Sequence, residues 1–232
     1  MSKNNIWIVC PFYNEEKHVA NMYKNLVKTK LPFIMINDGS TDKSYFILQN
    51  IHKKVGRFKL ASYGKNKGKG FAIKEGAKIT IHIYDADYVL IMDSDGQNRI
   101  EDISQFLTAL KMNPKAHIII GNRLHNPKGM PILRYLTNRF MSGLISLISG
   151  QYIADSQCGM RLLHKSVFDL ETKEERFAYE SEQLVKASRA GMEIVSVPIK
   201  CIYDKNRISK MNYLSDTIRF FKMILKLLFI RR

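Results

Sequence analysis

YVLIMDSDGQ, residues 88–97, sets an unbroken apolar run against two aspartates one residue apart, Asp93 and Asp95, followed by Gly96 and Gln97. An apolar run of this length that does not alternate and ends in a polar loop reads as a strand covered on both faces. IWIVC (6–10), FIMIN (33–37), RFKLA (57–61) and HIIIG (117–121) have the same form, with helical patterns between them. Residues 15–29 place Val19, Met22, Tyr23 and Leu26 at i, i+3, i+4 and i+7, with Asn14 as a candidate N-cap and Glu15 and Glu16 in the first turn. Ile100, Ile103, Leu107 and Leu110 form one stripe after the loop at 93–99. Strands alternating with helices predict right-handed βαβ units and an α/β domain with a mostly parallel, doubly wound central sheet.

Ligands of such sheets bind beyond the carboxyl ends of the strands. The segments there are Pro11-Phe12-Tyr13-Asn14-Glu15, Asp38-Gly39-Ser40-Thr41-Asp42 and Asp93-Ser94-Asp95-Gly96-Gln97, so three strand ends bring carboxylates to one rim. Asp93 and Asp95 would repel each other unless a cation bridged them, and hard oxygen ligands with Gln97 nearby suit Mg²⁺ or Mn²⁺. The alternative is a polar loop whose aspartates cap the next helix. Lys65, Lys67 and Lys69 interleave with Gly68 and Gly70 just before a helix, an arrangement that offers backbone N–H groups and ammonium charge to a phosphate, or else forms a solvated basic turn. The GxxxxGK[ST] spacing is absent, which excludes a P-loop.

The second half is less regular. It holds a long apolar segment with Arg134 and Arg139 (130–149), DSQCGMRLL (155–163), a helical run from Tyr179 to Ala190 and a strand, IVSVPIKCI (194–202). These should build the acceptor side of the cleft. Residues 216–232, DTIRFFKMILKLLFIRR, plot as a helix with Arg219, Lys222 and Lys226 on a narrow stripe and apolar side chains over the rest. Such a helix either lies in a membrane interface or packs on its own domain or on a second subunit.

Composition narrows the classes. The chain has 232 residues, suited to a single domain with elaborations, and 37 Lys plus Arg against 21 Asp plus Glu. The resulting charge of +16 favours an anionic partner: a phosphorylated substrate, an acidic leaflet or nucleic acid. A nucleic-acid-binding protein would explain that charge but not the strand-end carboxylates, and zinc-finger spacing and an RRM signature are both missing. Cys10, Cys158 and Cys201 form no CxxC pair, which argues against a disulfide framework and a zinc site and for a reducing compartment. The first apolar run is too brief for a secretory signal, and no uncharged stretch reaches 18 residues. The histidines at 18, 52, 82, 117, 125 and 164 show neither HxxxH nor HExxH spacing, and none is expected to be catalytic.

VCPFYNEE (9–16), INDGSTD (36–42), KNKGKGFAIKEGA (65–77) and VLIMDSDGQ (89–97), in that order, resemble family 2 glycosyltransferases of the nucleotide-diphospho-sugar (GT-A, Rossmann-like) fold. The resemblance continues through GNRL (121–124), DSQCGMRLL, FAYESEQLV (177–185) and VPIKCIYDKNRISK (197–210), and is greatest to the polyprenyl-phosphate branch that includes dolichol-phosphate mannose synthase. It implies a metal-dependent, inverting hexosyltransferase that moves a sugar from a UDP or GDP sugar to a lipid phosphate, peripheral on the cytoplasmic face of the membrane. A transferase acting on a saccharide or protein hydroxyl is the alternative. It also implies a glycosyltransferase domain over 1–212, with a nucleotide-sugar half (1–123) and an acceptor half (124–212), then an amphipathic helix at 213–232.

Position by position, the resemblance implies that Pro11, Tyr13 and Glu15 frame the base and ribose and that Asp38 reads the base or sugar edge. For Glu15 a plain helix-dipole charge is the competing role. Lys69, Asp93, Ser94, Asp95 and Arg123 would bind the donor, with Asp93, Asp95 and Gln97 holding the Mg²⁺ or Mn²⁺. Asp155, Gln157, Cys158 and Arg161 would surround the acceptor and the transferred sugar, with Asp95 and Asp155 as the catalytic candidates. A hydroxyl acceptor would need a base, either Asp155 or Glu182, unless these are a turn residue and a surface charge. Two departures stand out. In DKNRISK either Lys205 or Arg207 could be the basic contact that precedes Lys210, and Cys158 replaces the usual Ser, as a small filler with no His to make it a nucleophile.

Overall fold

The apolar runs of the first half become adjacent strands. In the computed structural model, which describes residues 4–56, 58–200, 202–203 and 213–229 (the side chains of 213–217 and 229 excepted), β1 (Ile6–Phe12), β2 (Phe33–Asp38) and β4 (Tyr88–Ile91) lie almost wholly inside. Among the described residues the sheet has seven strands in the order β3-β2-β1-β4-β6-β5-β7, completed by β3 (Lys59–Tyr63), β5 (Ile118–Asn122), β6 (Arg161–His164) and β7 (Ile194–Pro198). All pairings are parallel except those of β6, which runs antiparallel between β4 and β5. The α/β class and the mostly parallel sheet are thus as the alternation predicts. The antiparallel β6 comes from RLLH, a stretch whose shortness hides it.

The boundaries differ where side chains have other partners. β3 begins at Lys59, not at residue 57, because Phe58 turns into the core and stacks on Phe33 at 5.5 Å. Helix α1 spans Val19–Lys28 and buries Val19, Met22 and Leu26 as its periodicity predicts, each worth roughly 1.5–3 kcal/mol of apolar burial. Asn14 does not cap it. That residue sits at φ 50°, and its carboxamide oxygen accepts from the Thr41 and Asp42 N–H groups, so it ties the β1 loop to the β2 loop instead. The strand expected over 194–202 stops at Pro198, after which the Lys200 N–H donates to Asp102 and the Ile202 N–H to the Gln97 carbonyl. The chain leaves the sheet there to brace the loop that follows β4.

The remaining helices are α2 (Ser44–Val55), α3 (Lys69–Tyr84), α4 (Ile103–Met112), α5 (Ile132–Ser149), α6 (Ala178–Arg189) and α7 (Tyr213–Phe229). Helices α5, α6 and α7 come together at their carboxyl ends. Arg189 donates to the Leu227 carbonyl at 2.8 Å and to the Ile148 carbonyl at 3.5 Å.

Candidate active site

Parallel pairing of β1 with β4, Val9 opposite Ile91, opens the loops after both strands side by side. The buried thiol of Cys10 registers what converges there. Burial, then the charges of Asp93, Asp95 and Glu15, push it well above its ordinary value, while Lys69 acts in the opposite sense. The carboxylates of the loops after β1 and β4 and the Lys69 ammonium thus all act on this position.

Asp93 holds that ammonium directly. Lys69, the first residue of α3, lies 2.7 Å from Asp93 Oδ1 and 3.1 Å from Glu180 Oε2 in the first turn of α6. Burial works against the charge on Lys69, but Asp93 and Glu180 outweigh it and keep the amine protonated beyond its usual range. Gly159, from the DSQCGM segment, closes one side of this pair. A Cβ on it would fall 2.4 Å from Asp93 Oδ2 and 2.8 Å from Lys69 Nζ. Asp95 Oδ1 accepts from the Gln97 N–H at 3.0 Å, and Ser94 is buried between the two aspartates. No cluster of three or more His, Cys, Asp or Glu able to hold a metal occurs among the described residues. The donor set nevertheless fits a Mg²⁺-type ion, which takes one or two carboxylates and completes its shell with phosphate and water. Asp93 already attracts a cation in the form of Lys69.

The basic turn is organised from beneath by Asp38. Its buried carboxylate accepts from Tyr63 Oη (2.8 Å), Asn66 Nδ2 (2.9 Å), Lys67 N (2.8 Å) and Gly68 N (3.0 Å). The Phe71 N–H goes to the Glu175 carbonyl. The N–H groups of Lys67, Gly68 and Phe71 are thus committed inside the protein, which leaves to a phosphate the ammonium of Lys69 and the first N–H groups of α3. Asp38 is placed as the anchor of the turn. Gly39, at φ 65°, lets the β2 loop press on it: a Cβ there would sit 2.5 Å from Asn66 N. Pro11 is buried in β1, Tyr13 is half-buried beyond it, and Glu15 is buried with its N–H bonded to Ser44 Oγ at 2.7 Å.

On the acceptor side, Arg123 follows β5 directly and makes a buried fork on Asp155. Nε to Oδ2 is 2.8 Å, Nη2 to Oδ1 is 2.9 Å, and the Arg123 N–H adds 3.1 Å to Oδ2. The Gln157 N–H also reaches Asp155 Oδ1 at 3.2 Å. Fully enclosed and bonded on both oxygens, Asp155 holds Arg123 in place and does not present a lone pair to an acceptor. Arg161 is also reassigned. Its guanidinium donates to the carbonyls of Cys158 (2.8 Å), Glu180 (2.6 Å) and Ser156 (2.8 Å) while only 1% exposed, so it knits the DSQCGM loop to α6 and has no face left for a phosphate. Cys158 is equally enclosed; burial pushes its thiol up to about 12, which suits a filler and rules out an acceptor contact. Gln157 stays half-buried, with Nε2 on Ser156 Oγ at 3.0 Å. Glu182 is no surface charge: it accepts from the Lys173 and Glu174 N–H groups at 3.0 and 2.8 Å and pairs with Lys186 at 3.0 Å. Lys205, Arg207 and Lys210 lie outside the described residues.

Glu180, Gly159 and Arg134 went unread in the sequence as site residues. Glu180 and Gly159 stand inside the FAYESEQLV and DSQCGM stretches, but only folding brings them to Asp93. Arg134, in the first turn of α5, lies over the Tyr203 ring at 5.4 Å, and Tyr203 acts in turn on the charge of Arg123. Beyond Arg134, Leu136, Phe140 and Leu147 are between 56% and 80% exposed. Helix α7 packs Phe220, Met223, Ile224 and Leu227 inward and leaves Ile218, Phe221, Leu225 and Leu228 outside. No described helix is long and apolar enough to cross a membrane.

A mostly parallel sheet with paired aspartates at one strand end, a half-buried lysine on Asp93 and an arginine fork across the crevice is the arrangement of a GT-A glycosyltransferase. The chain belongs to glycosyl transferase family 2, whose profile matches residues 7–170. It is similar to the UDP-N-acetylglucosamine–dolichyl-phosphate N-acetylglucosaminyltransferase of Methanococcus voltae, at 29% identity over 98% of this chain and 97% of that one. It is also 25% identical, over 93% of its length and 71% of the relative's, to the dolichyl-phosphate beta-glucosyltransferase of Saccharomyces cerevisiae. Among solved structures, glucosyl-3-phosphoglycerate synthase from Mycobacterium tuberculosis, in complex with Mn²⁺, UDP and phosphoglyceric acid, superposes with a TM-score of 0.72 at 14% identity, over 100% of this chain and 81% of that one. That likeness is one of fold.

Proposed function

We propose that this enzyme transfers a hexose from a UDP or GDP sugar to a polyprenyl phosphate, as a peripheral protein on the cytoplasmic face of the membrane. The observation that carries this reading is the state of the two candidate bases. Asp155 is bonded to Arg123 and Glu182 to the 173–174 backbone, so neither is set to deprotonate a hydroxyl. A phosphate monoester needs no such help, because its second proton is lost near pH 6 and the attacking oxygen is already anionic at neutral pH. The dolichyl-phosphate acceptors of the two relatives, the +16 charge and the exposed apolar stripe starting beside Arg134 point the same way.

In this scheme Tyr13 offers a ring face to the base and Glu15 accepts from donor hydroxyls. Asp93 and Asp95, with Gln97, would hold a divalent cation, which when bound neutralises charge building on the leaving diphosphate. Lys69 adds its ammonium to that diphosphate. Arg123, stiffened by Asp155, presents a fixed positive edge toward the transferred sugar, and Arg134 receives the lipid phosphate where the stripe begins.

The test is transfer of label from nucleotide sugars, with Mn²⁺, into a product extractable into organic solvent and labile to mild acid. Asp95→Ala should lower kcat by about 100-fold or more while the melting temperature is kept. Label passing to a saccharide hydroxyl, with none to polyprenyl phosphate, would overturn the proposal. Thermal shifts with UDP and GDP sugars select the base, because specific binding raises apparent stability by mass action.

A further inference from the structure

Lys69 occupies the very carboxylate that the cation needs. Building on the metal-site reading above, we infer that Lys69 is a built-in counter-cation for Asp93. On this view a divalent ion alone binds poorly to the free enzyme, and it is taken up together with the nucleotide diphosphate. The geometry makes the competition direct. Lys69 Nζ sits 2.7 Å from Asp93 Oδ1, and Gly159 packs beside the other oxygen, where a Cβ would fall 2.4 Å from Oδ2. A divalent ion on this carboxylate would lie within a few Å of the ammonium and repel it, so each loosens the other's hold on Asp93.

Glu180 supplies the place to withdraw to. Its two oxygens lie 3.1 and 3.3 Å from Lys69 Nζ, so the ammonium can leave Asp93 and remain paired. That second anchor is set by helix packing. The Phe71 N–H bonds the Glu175 carbonyl at 2.9 Å, Gly70 abuts Tyr179, and Arg161 fixes the Glu180 carbonyl at 2.6 Å, so the first turns of α3 and α6 are held at one spacing. A diphosphate arriving at the rim brings anionic oxygens that can take up Lys69 as the cation takes up Asp93. Its binding and that of the cation thus reinforce each other.

The experiment titrates the full chain with Mn²⁺ alone and reads free ion from its EPR signal. Lys69→Gln removes a like charge beside the ion and should bind Mn²⁺ about tenfold more tightly than wild type. Lys67→Gln, which removes an exposed charge from the same turn, should change nothing. Glu180→Gln takes away the refuge and should weaken Mn²⁺ binding, which keeps the test alive should Lys69→Gln fail to fold. Equal affinity in wild type and Lys69→Gln, or tighter binding by Glu180→Gln, overturns the inference and leaves the metal site standing. Undiminished Mn²⁺ binding by a Lys69→Gln, Asp95→Ala double variant overturns both.

Discussion

Arg161 and Asp95 are both charged and both stand in family motifs, yet the structure gives them opposite environments. Arg161 is enclosed and satisfies three backbone carbonyls; Asp95 lies half-open at the rim. Replacing Arg161 by Met should cost on the order of 3 kcal/mol or more, because each buried acceptor left without a partner costs about 1–3 kcal/mol. Urea unfolding checks this, and Asp95→Ala should leave the same curve unmoved. Arg161→Lys should recover only part of the loss, since one ammonium cannot span the planar fork that reaches the Ser156, Cys158 and Glu180 carbonyls. Residue type and motif position made these side chains visible in the sequence. Which of them faces a ligand and which faces a carbonyl depends on partners up to 19 residues away for Arg161 and 111 for Lys69, and spacing alone does not encode that.

Helix α5 is built the wrong way round for a water-soluble surface. Its buried positions are Asn138, Ser142, Ile145 and Ser149, while Ile132, Leu133, Leu136, Phe140 and Leu147 face outward. The inward serines are used: Ser142 Oγ accepts from the Ser156 N–H at 2.9 Å and so positions the loop that carries Asp155, and Ser149 Oγ donates to the Gln151 carbonyl at 3.1 Å. The outward apolar face, rimmed by Arg134 and Arg139, matches what a headgroup region accepts, with basic side chains each adding about 1 kcal/mol near an anionic surface. Leu136→Glu combined with Phe140→Glu should abolish cosedimentation with phosphatidylglycerol-containing vesicles and leave the melting temperature unchanged, because the exposed stripe contributes little to the fold. Undiminished vesicle binding would remove α5 from the membrane account. For α7 the packing role is met on one face, where Phe220, Met223, Ile224 and Leu227 are buried, while Ile218, Phe221, Leu225 and Leu228 are exposed.

For the whole molecule, stability should depend on pH through His164. Burial first, then the charges of His117 and Lys165, hold its imidazole below the ordinary 6.5, and Nδ1 accepts from the Ser166 N–H at 3.3 Å. A depressed value means the unfolded chain takes up the proton first, so this contribution is complete above about pH 6.5 and is lost as pH falls through the folded value. Urea midpoints should therefore decline from pH 7.5 to 5.5 in wild type and decline less in His164→Gln. Asp87, held below its usual 3.8 by the Asn5 N–H and then Lys165, affects only more acid conditions and does not confound that window.

The alternation of apolar runs and helical stripes was enough to determine the α/β class, the parallel sheet and the rim where Glu15, Asp93 and Asp95 meet, because period and polarity are local properties that each segment carries with it. The ordered motifs were enough for the family. Only the tertiary structure decided that β6 runs antiparallel, that Asp38 anchors a turn, that Asp155 and Arg161 face inward, and that Lys69 already neutralises Asp93. Those outcomes rest on hydrogen bonds and charge pairs between segments far apart in the chain. Their strength depends on burial and on distances of about 3 Å, which exist only once the sheet has brought the segments together.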